Sequence, residues 1–213
     1  MKGSAIPLLR AVKNRFGSTN EIGVFEMGEK GLQSYNDPSM FFLSQRPENV
    51  PGSAVTCIMQ GSRPMLLEVQ ALVATSNFGN PRRLGSGFDY NRLLLILAVL
   101  ERKLGLSLGN KDVYINIAGG MKIDDPGADL AVAAAIVSSM KEIALEERLL
   151  VIGEVGLLGE VRSIGQMARR LKEGEGFGFK TAVVPKSCEE KSKELRLIKA
   201  VDMTQALSFL GLI

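Results

Sequence analysis

The chain has 213 residues, 46% of them hydrophobic, so one large core can bury about 70% of the unfolded surface without a metal or disulfide to hold it. It contains no histidine, which excludes Ser-His-Asp and Cys-His catalysis, HExxH zinc sites and imidazole acid–base chemistry. Its 26 basic and 23 acidic side chains nearly cancel to +3, so only a local cluster of cations would make a nucleic-acid site. Cys57 and Cys188 are far apart with no CxxC, which gives neither a zinc ligand set nor a disulfide framework and reads as two buried thiols. The start of the chain is basic but lacks the continuous apolar core of a signal peptide. The longest apolar run, residues 93–100, falls short of the ~20 residues needed to span a bilayer. A soluble, cytoplasmic protein without membrane contact is expected.

Residues 23–27 and 31–35 are strand-like around the turn at 28–30 and predict a small hairpin. A turn at 36–39 leads to a short capped helix at 40–43, and residues 45–52, with two prolines, read as a linker. The first fifty residues hold too little apolar material for a domain of their own, so the boundary is placed near Val50. Beyond it, residues 54–60 and 65–74 predict an antiparallel hairpin with Leu67, Val69 and Ala71 on one face and Glu68 and Gln70 on the other. Residues 75–87 read as a loop. Residues 88–104 predict a central helix buried on more than one side, because apolar positions exceed a single 3–4 stripe. A strand at 112–118 ends at Gly119-Gly120. The next helix follows Asp125, suited to the cap, and Pro126, suited to an early helical position; its many alanines imply close backbone approach to a neighbour. Strands at 149–152, 181–185 and 196–200, a Gly-punctuated hairpin at 153–162, a basic helix at 166–174 and a closing helix at 203–210 capped by Asp202 complete an α/β (α+β) domain over 51–213.

Lys13-Asn14-Arg15-Phe16-Gly17 is, on its residues alone, a basic turn with an aromatic. Three further blocks follow it: Ile22-Gly23-Val24-Phe25-Glu26-Met27, Gly79-Asn80-Pro81-Arg82-Arg83 and Asp89-Tyr90-Asn91-Arg92-Leu93. In this order they resemble the bacterial RadA (Sms) family of DNA-repair proteins, and the resemblance covers nearly the whole chain. It implies the C-terminal part of such a protein. Residues 1–50 would be the end of a RecA-like ATPase core with the KNRFG motif and a linker, and 51–213 a Lon-protease-like (ribosomal protein S5 domain 2-like) domain.

The family's zinc finger and Walker A loop have no counterpart here, since neither CxxC nor GxxxxGK[ST] occurs. ATP, Mg²⁺ and zinc are therefore expected only in the full-length protein, and this chain should not hydrolyse ATP. In the family the KNRFG loop lies at a subunit interface of a hexameric ring. Carried across, Lys13 and Arg15 would be cations set in trans against a neighbour's nucleotide, as arginine fingers are; Asn14 and Phe16 would aim them, and Gly17 would be the permissive turn.

A Lon-type peptidase uses a Ser-Lys dyad, which needs no histidine. Its serine lies in a D-G-P-S-A-G-like turn, matched by Asp125-Pro126-Gly127-Ala128-Asp129-Leu130, and its lysine follows an I-G-G-L-K pattern, matched by Ile164-Gly165-Gln166-Met167-Ala168. Ala128 and Ala168 stand at the dyad positions, so the resemblance implies a proteolytically dead fold. Asp124, Asp125 and Asp129 are read as helix-capping rather than as a metal site. Arg82, Arg83 and Arg92, with Arg169 and Arg170 on the basic helix, are the candidate DNA-binding cations, multiplied around a ring. The implied parent is a homo-hexameric DNA-dependent ATPase and helicase, active in recombination and branch migration on single-stranded or branched DNA beside a RecA-type recombinase. The rival readings are a Ser-Lys peptidase with a displaced dyad and a pure oligomerisation module.

Overall fold

The computed structural model describes residues 8–10, 22–28, 31–34, 38–44, 46–77 and 79–213. Strands β1 (Leu8–Arg10), β2 (Ile22–Gly28) and β3 (Gly31–Ser34) form a small antiparallel sheet in that order, and its β2–β3 pair is the hairpin expected from the turn at 28–30. Helix α1 (Pro38–Leu43) follows. It belongs physically with what comes after it. The Ser39 hydroxyl accepts the Leu66 amide at 2.9 Å and donates to Glu173 at 2.6 Å, and Phe42 is buried in the main core. Arg46 then donates to Ser53 Oγ at 3.1 Å and to the Glu147 carbonyl at 2.7 Å. Helix α1 and Arg46, expected to go with the first part of the chain, are thus packed against the large sheet and its neighbours.

The remaining strands are β4 (Ser53–Gln60), β5 (Arg63–Thr75), β6 (Arg83–Ser86), β7 (Lys111–Ile117), β8 (Leu149–Val151), β9 (Glu154–Val155), β10 (Val161–Arg162), β11 (Thr181–Pro185) and β12 (Arg196–Ala200). Seven of them make one sheet in the order β12-β11-β8-β4-β5-β7-β6, while β9 and β10 form the small hairpin expected at 153–162. Only β5 runs against the other six, because it follows β4 through a two-residue turn and pairs antiparallel with both β4 and β7. The outcome is mixed α/β with a mostly parallel sheet.

Side chains alternate cleanly across this sheet, as strand geometry requires. Ala54, Ile58, Leu67, Val69, Val151 and Val183 point into the larger core, and Val55, Cys57, Leu66, Leu150 and Val184 into the smaller one. The larger core is covered by helices α2 (Tyr90–Leu104), α3 (Asp129–Lys141) and α5 (Met203–Phe209), the smaller by α4 (Met167–Gly176). The central helix is α3 rather than α2. Residues 129–138 of α3 are all buried, and its alanines let the backbone lie close over β4 and β5. Helix α2 starts after Phe88, where Asp89 accepts the Arg92 amide, and it is amphipathic: Leu94 and Leu95 are each 38% exposed.

The stretch expected to be a loop contains strand β6, parallel to β7. Arg-Leu-Gly-Ser has neither alternation nor β-branched residues, so nothing local announces it. Gly87, just past it, has φ +79°, and any Cβ there would collide with the Met121 carbonyl oxygen. Only glycine fits that approach.

Candidate functional site

The two segments matching the peptidase pattern are packed against each other. Asp125 ends β-like backbone before the Pro126–Ala128 turn and accepts the Gly127 amide at 2.8 Å and the Met59 amide at 2.6 Å. Its carboxylate also pairs with the Arg170 guanidinium at 2.7 Å, and both side chains are buried. Arg170 donates further to the carbonyls of Cys57 at 2.6 Å and Gly165 at 3.1 Å. Three of these contacts, Asp125–Met59, Asp125–Arg170 and Arg170–Cys57, tie the 125–128 turn, β4 and α4 together, and Ile164 closes over Gly127. Such a pair adds little net stability but leaves a costly orphan if one partner is removed.

Ala128 is fully buried at the start of α3. Ala168 is exposed in the first turn of α4, on a cleft of about 420 Å³ whose polar lining includes Ser163, Gln166, Arg169, Ser187 and Glu189. The two positions matched to the peptidase pattern present methyl groups, which neither attack a carbonyl nor move a proton. Ser138, the serine nearest along the same helix, accepts the Gly52 amide at 2.8 Å and donates to the Ile143 carbonyl at 2.5 Å, so its hydroxyl is engaged in the core. Cys57 is buried, and desolvation pushes its thiol well above the usual range, away from nucleophilic use.

A second aspartate of the turn has a different partner. Asp129 does not cap α3: its carboxylate pairs with Arg92 of α2 and accepts the Val155 amide at 3.3 Å. Arg92 lies 5.7 Å from the Phe88 ring centroid. Arg92, Asp129 and Val155, with Leu95, Ile96, Pro126 and Glu154, line a cleft of about 310 Å³. Burial raises the Asp129 carboxyl to about 6, against the opposing pull of Arg92. Asp124 is exposed and pairs with Lys122 at 3.5 Å. Among the described residues no three His, Cys, Asp or Glu side chains converge as a metal site.

The basic candidates separate on inspection. Arg170 is 4% exposed and spends its donors inside the fold, so it does not share the solvated face expected of the basic helix. Arg92 is half-buried in its ion pair. Arg83 is a clamp: its guanidinium donates to the carbonyls of Leu108 at 2.7 Å, Arg82 at 3.1 Å and Lys111, fixing the turn into β7. Arg82 is exposed just before β6, its amide held by Asp112 at 2.7 Å. That hydrogen bond is the main reason the Asp112 carboxyl lies below its ordinary range. Arg169 is exposed on α4 and reaches the Ser62 carbonyl at 3.1 Å. Arg82 and Arg169 therefore stand just before the edge strand and on a helix over β4 and β5, not in one cluster. Lys13, Asn14, Arg15, Phe16 and Gly17 lie outside the described residues.

Reading the sequence missed a row on the sheet. Leu72 of β5, Tyr114 of β7 and Leu84 of β6 are direct cross-strand neighbours. Alternation within 111–117 was the signal that could have found it.

The family model for subunit ChlI of Mg-chelatase matches residues 93–188. The chain is 45% identical over 203 residues to the DNA repair protein RadA of Bacillus subtilis, which covers 94% of this chain and 44% of that protein. It is 49% identical over 205 residues to the DNA repair protein RadA of Pseudomonas aeruginosa, with 95% and 45% covered, and 49% identical over 203 residues to that of Brucella abortus, with 94% and 44% covered. The chain thus spans less than half the length of these curated relatives.

Proposed function

Because the chain belongs, over the part it shares with them, to the family of the DNA repair proteins RadA, we propose that it is the non-proteolytic, DNA-engaging scaffold of such a protein. The observation that carries this reading is the 45–49% identity with RadA over nearly the whole chain. The residues give it physical content. Residues 51–213 take the role of a Lon-protease-like domain whose dyad positions hold Ala128 and Ala168, so the fold serves assembly rather than peptide cleavage. Copies associate as a hexameric ring, and repetition around the ring turns a few cations per chain into a strong local field. Arg82 and Arg169, the exposed members of the candidate set, track the phosphate backbone of single-stranded or branched DNA. Lys13 and Arg15 reach toward nucleotide held by the neighbouring ATPase core, where Mg²⁺ belongs too. A zinc finger lies elsewhere in the whole protein. That whole protein is a DNA-dependent ATPase and helicase driving branch migration in recombinational repair, beside a RecA-type recombinase, in the bacterial cytoplasm. Among the described residues no helix is long and apolar enough to cross a membrane.

Solution mass measured together with peptide hydrolysis tests the scaffold role. A six-fold mass with no turnover of casein or fluorogenic peptides is the expected result. A monomer that cleaves peptides would overturn it.

A further inference from the structure

We propose that the outer face of strands β5, β7 and β6 is a base-stacking platform for single-stranded DNA centred on Tyr114, an inference that rests on the DNA-engaging reading above. The face is defined by register. Gln70, Leu72 and Ala74 of β5 stand opposite Asn116, Tyr114 and Asp112 of β7, and Leu84 and Ser86 of β6 stand opposite Tyr114 and Asn116. Their neighbours Val69, Ala71, Val113 and Ile115 face the large core, so alternation turns this set the other way. Helix α4 covers the beginning of β5 on this side, at Leu66. Further along, Leu72 is 61% and Leu84 57% exposed, with Tyr114 half-buried between them. A phenol ring flanked by two exposed aliphatic side chains on a sheet face is a surface for another ring.

Charge and polarity favour a nucleic acid over a protein as occupant. The face bears two carboxylates, and neither is presented to a ligand. Glu68 is 2% exposed and accepts from Ser53 at 2.6 Å and Gln70 at 3.0 Å, while Asp112 is 8% exposed and accepts the Arg82 amide. At the same end as Asp112 stands a cation of the flanking backbone, Arg82, suited to phosphates, while Lys111 belongs to the opposite face with Val113 and donates to Thr75 at 3.0 Å. In the next row Asn116 donates to Gln70 at 3.1 Å, and Gln70 is anchored on Glu68, which holds two carboxamides in place beside the ring for base edges. Single-strand sites combine these parts: aromatic stacking, a basic border and few specific hydrogen bonds.

The chain contains no tryptophan, so Tyr114→Trp makes a single reporter on the platform. Its fluorescence should quench on adding a dT oligonucleotide and stay unchanged with an abasic oligonucleotide of equal length. Tyr114→Ala should weaken dT binding about 5- to 150-fold with little change for the abasic strand, Tyr114→Phe should retain it, and Arg82→Ala should weaken both. Thermal melts establish that each variant folds, and the Trp variant carries the test if the Ala variant does not. Normal dT binding by the unmodified chain, with no quenching and no loss in the Ala variant, overturns the platform alone. A change in solution mass at Tyr114→Ala without a change in affinity overturns it in favour of a protein interface. Failure of the unmodified chain to bind either strand overturns the DNA-engaging reading as well.

Discussion

Arg170 and Arg92 reach into the same turn from opposite sides of the sheet, and burial gives them different consequences. Removing the Arg170 side chain leaves Asp125 charged and enclosed, so Arg170→Ala should cost about 3–5 kcal/mol in urea unfolding. DNA affinity of the folded fraction should not change, which separates a structural arginine from a phosphate contact. Asp129 yields a pH effect whose sign follows from proton linkage. Its folded carboxyl titrates at about 6, above its ordinary value of 3.8, with Arg92 and Glu154 facing it, so the native state holds a proton that the unfolded chain has already released. This group therefore favours folding most at the acid end; its contribution falls as pH rises from about 4 to about 6 and is level beyond. Asp129→Asn should remove that slope, seen as the difference between the stability–pH curves of the two proteins. The capping role of Asp125 was legible in the sequence, because a cap acts over two or three residues. Its pairing with Arg170 was not, since the partners meet only through packing of α4 on β4.

Strands with clear alternation were legible, and β6, which has none, was not. Strands β4 and β5 declare their two faces through alternation, and Leu67 and Val69 lie where that alternation sends them. Strand β6 has no period and exists because β7 offers it an edge. Gly87 enforces the bend between β6 and α2, so Gly87→Ala should destabilise by about 2–5 kcal/mol, combining a left-handed backbone with a carbonyl collision. At the start of α4, Gln166 holds φ +61°. The Lon-type pattern has glycine there, and Gln166→Gly should stabilise by about 0.5–1 kcal/mol in thermal or urea melts. The surplus of leucines made α2 look buried on more than one side and central, whereas the small side chains of α3 determine which helix gets closest to the sheet. Hydrophobicity marks what can be buried; size marks what can be central.

On the scale of the whole molecule, one sheet separates two cores, and the turn that would carry a peptidase serine is welded to α4 by the Asp125–Arg170 pair. The α/β class was legible in the sequence, because strands and caps are local. Which arginines face water was not legible, as exposure depends on layers formed by distant segments. The basic residues of the KNRFG motif belong to this scale too. In the full-length protein Lys13→Ala should leave assembly intact and suppress DNA-stimulated ATP turnover, read by phosphate release with and without oligonucleotide. The most direct test of a DNA-engaging, non-proteolytic scaffold is the affinity of the chain for a labelled single-stranded oligonucleotide between 50 and 200 mM salt, on the order of the range over which counterion release is resolved. The expected result is a log-linear fall in affinity with salt, its slope reduced when Arg82 and Arg169 are reversed to glutamate. Absence of binding at the lowest salt, or a slope untouched by both reversals, would contradict it.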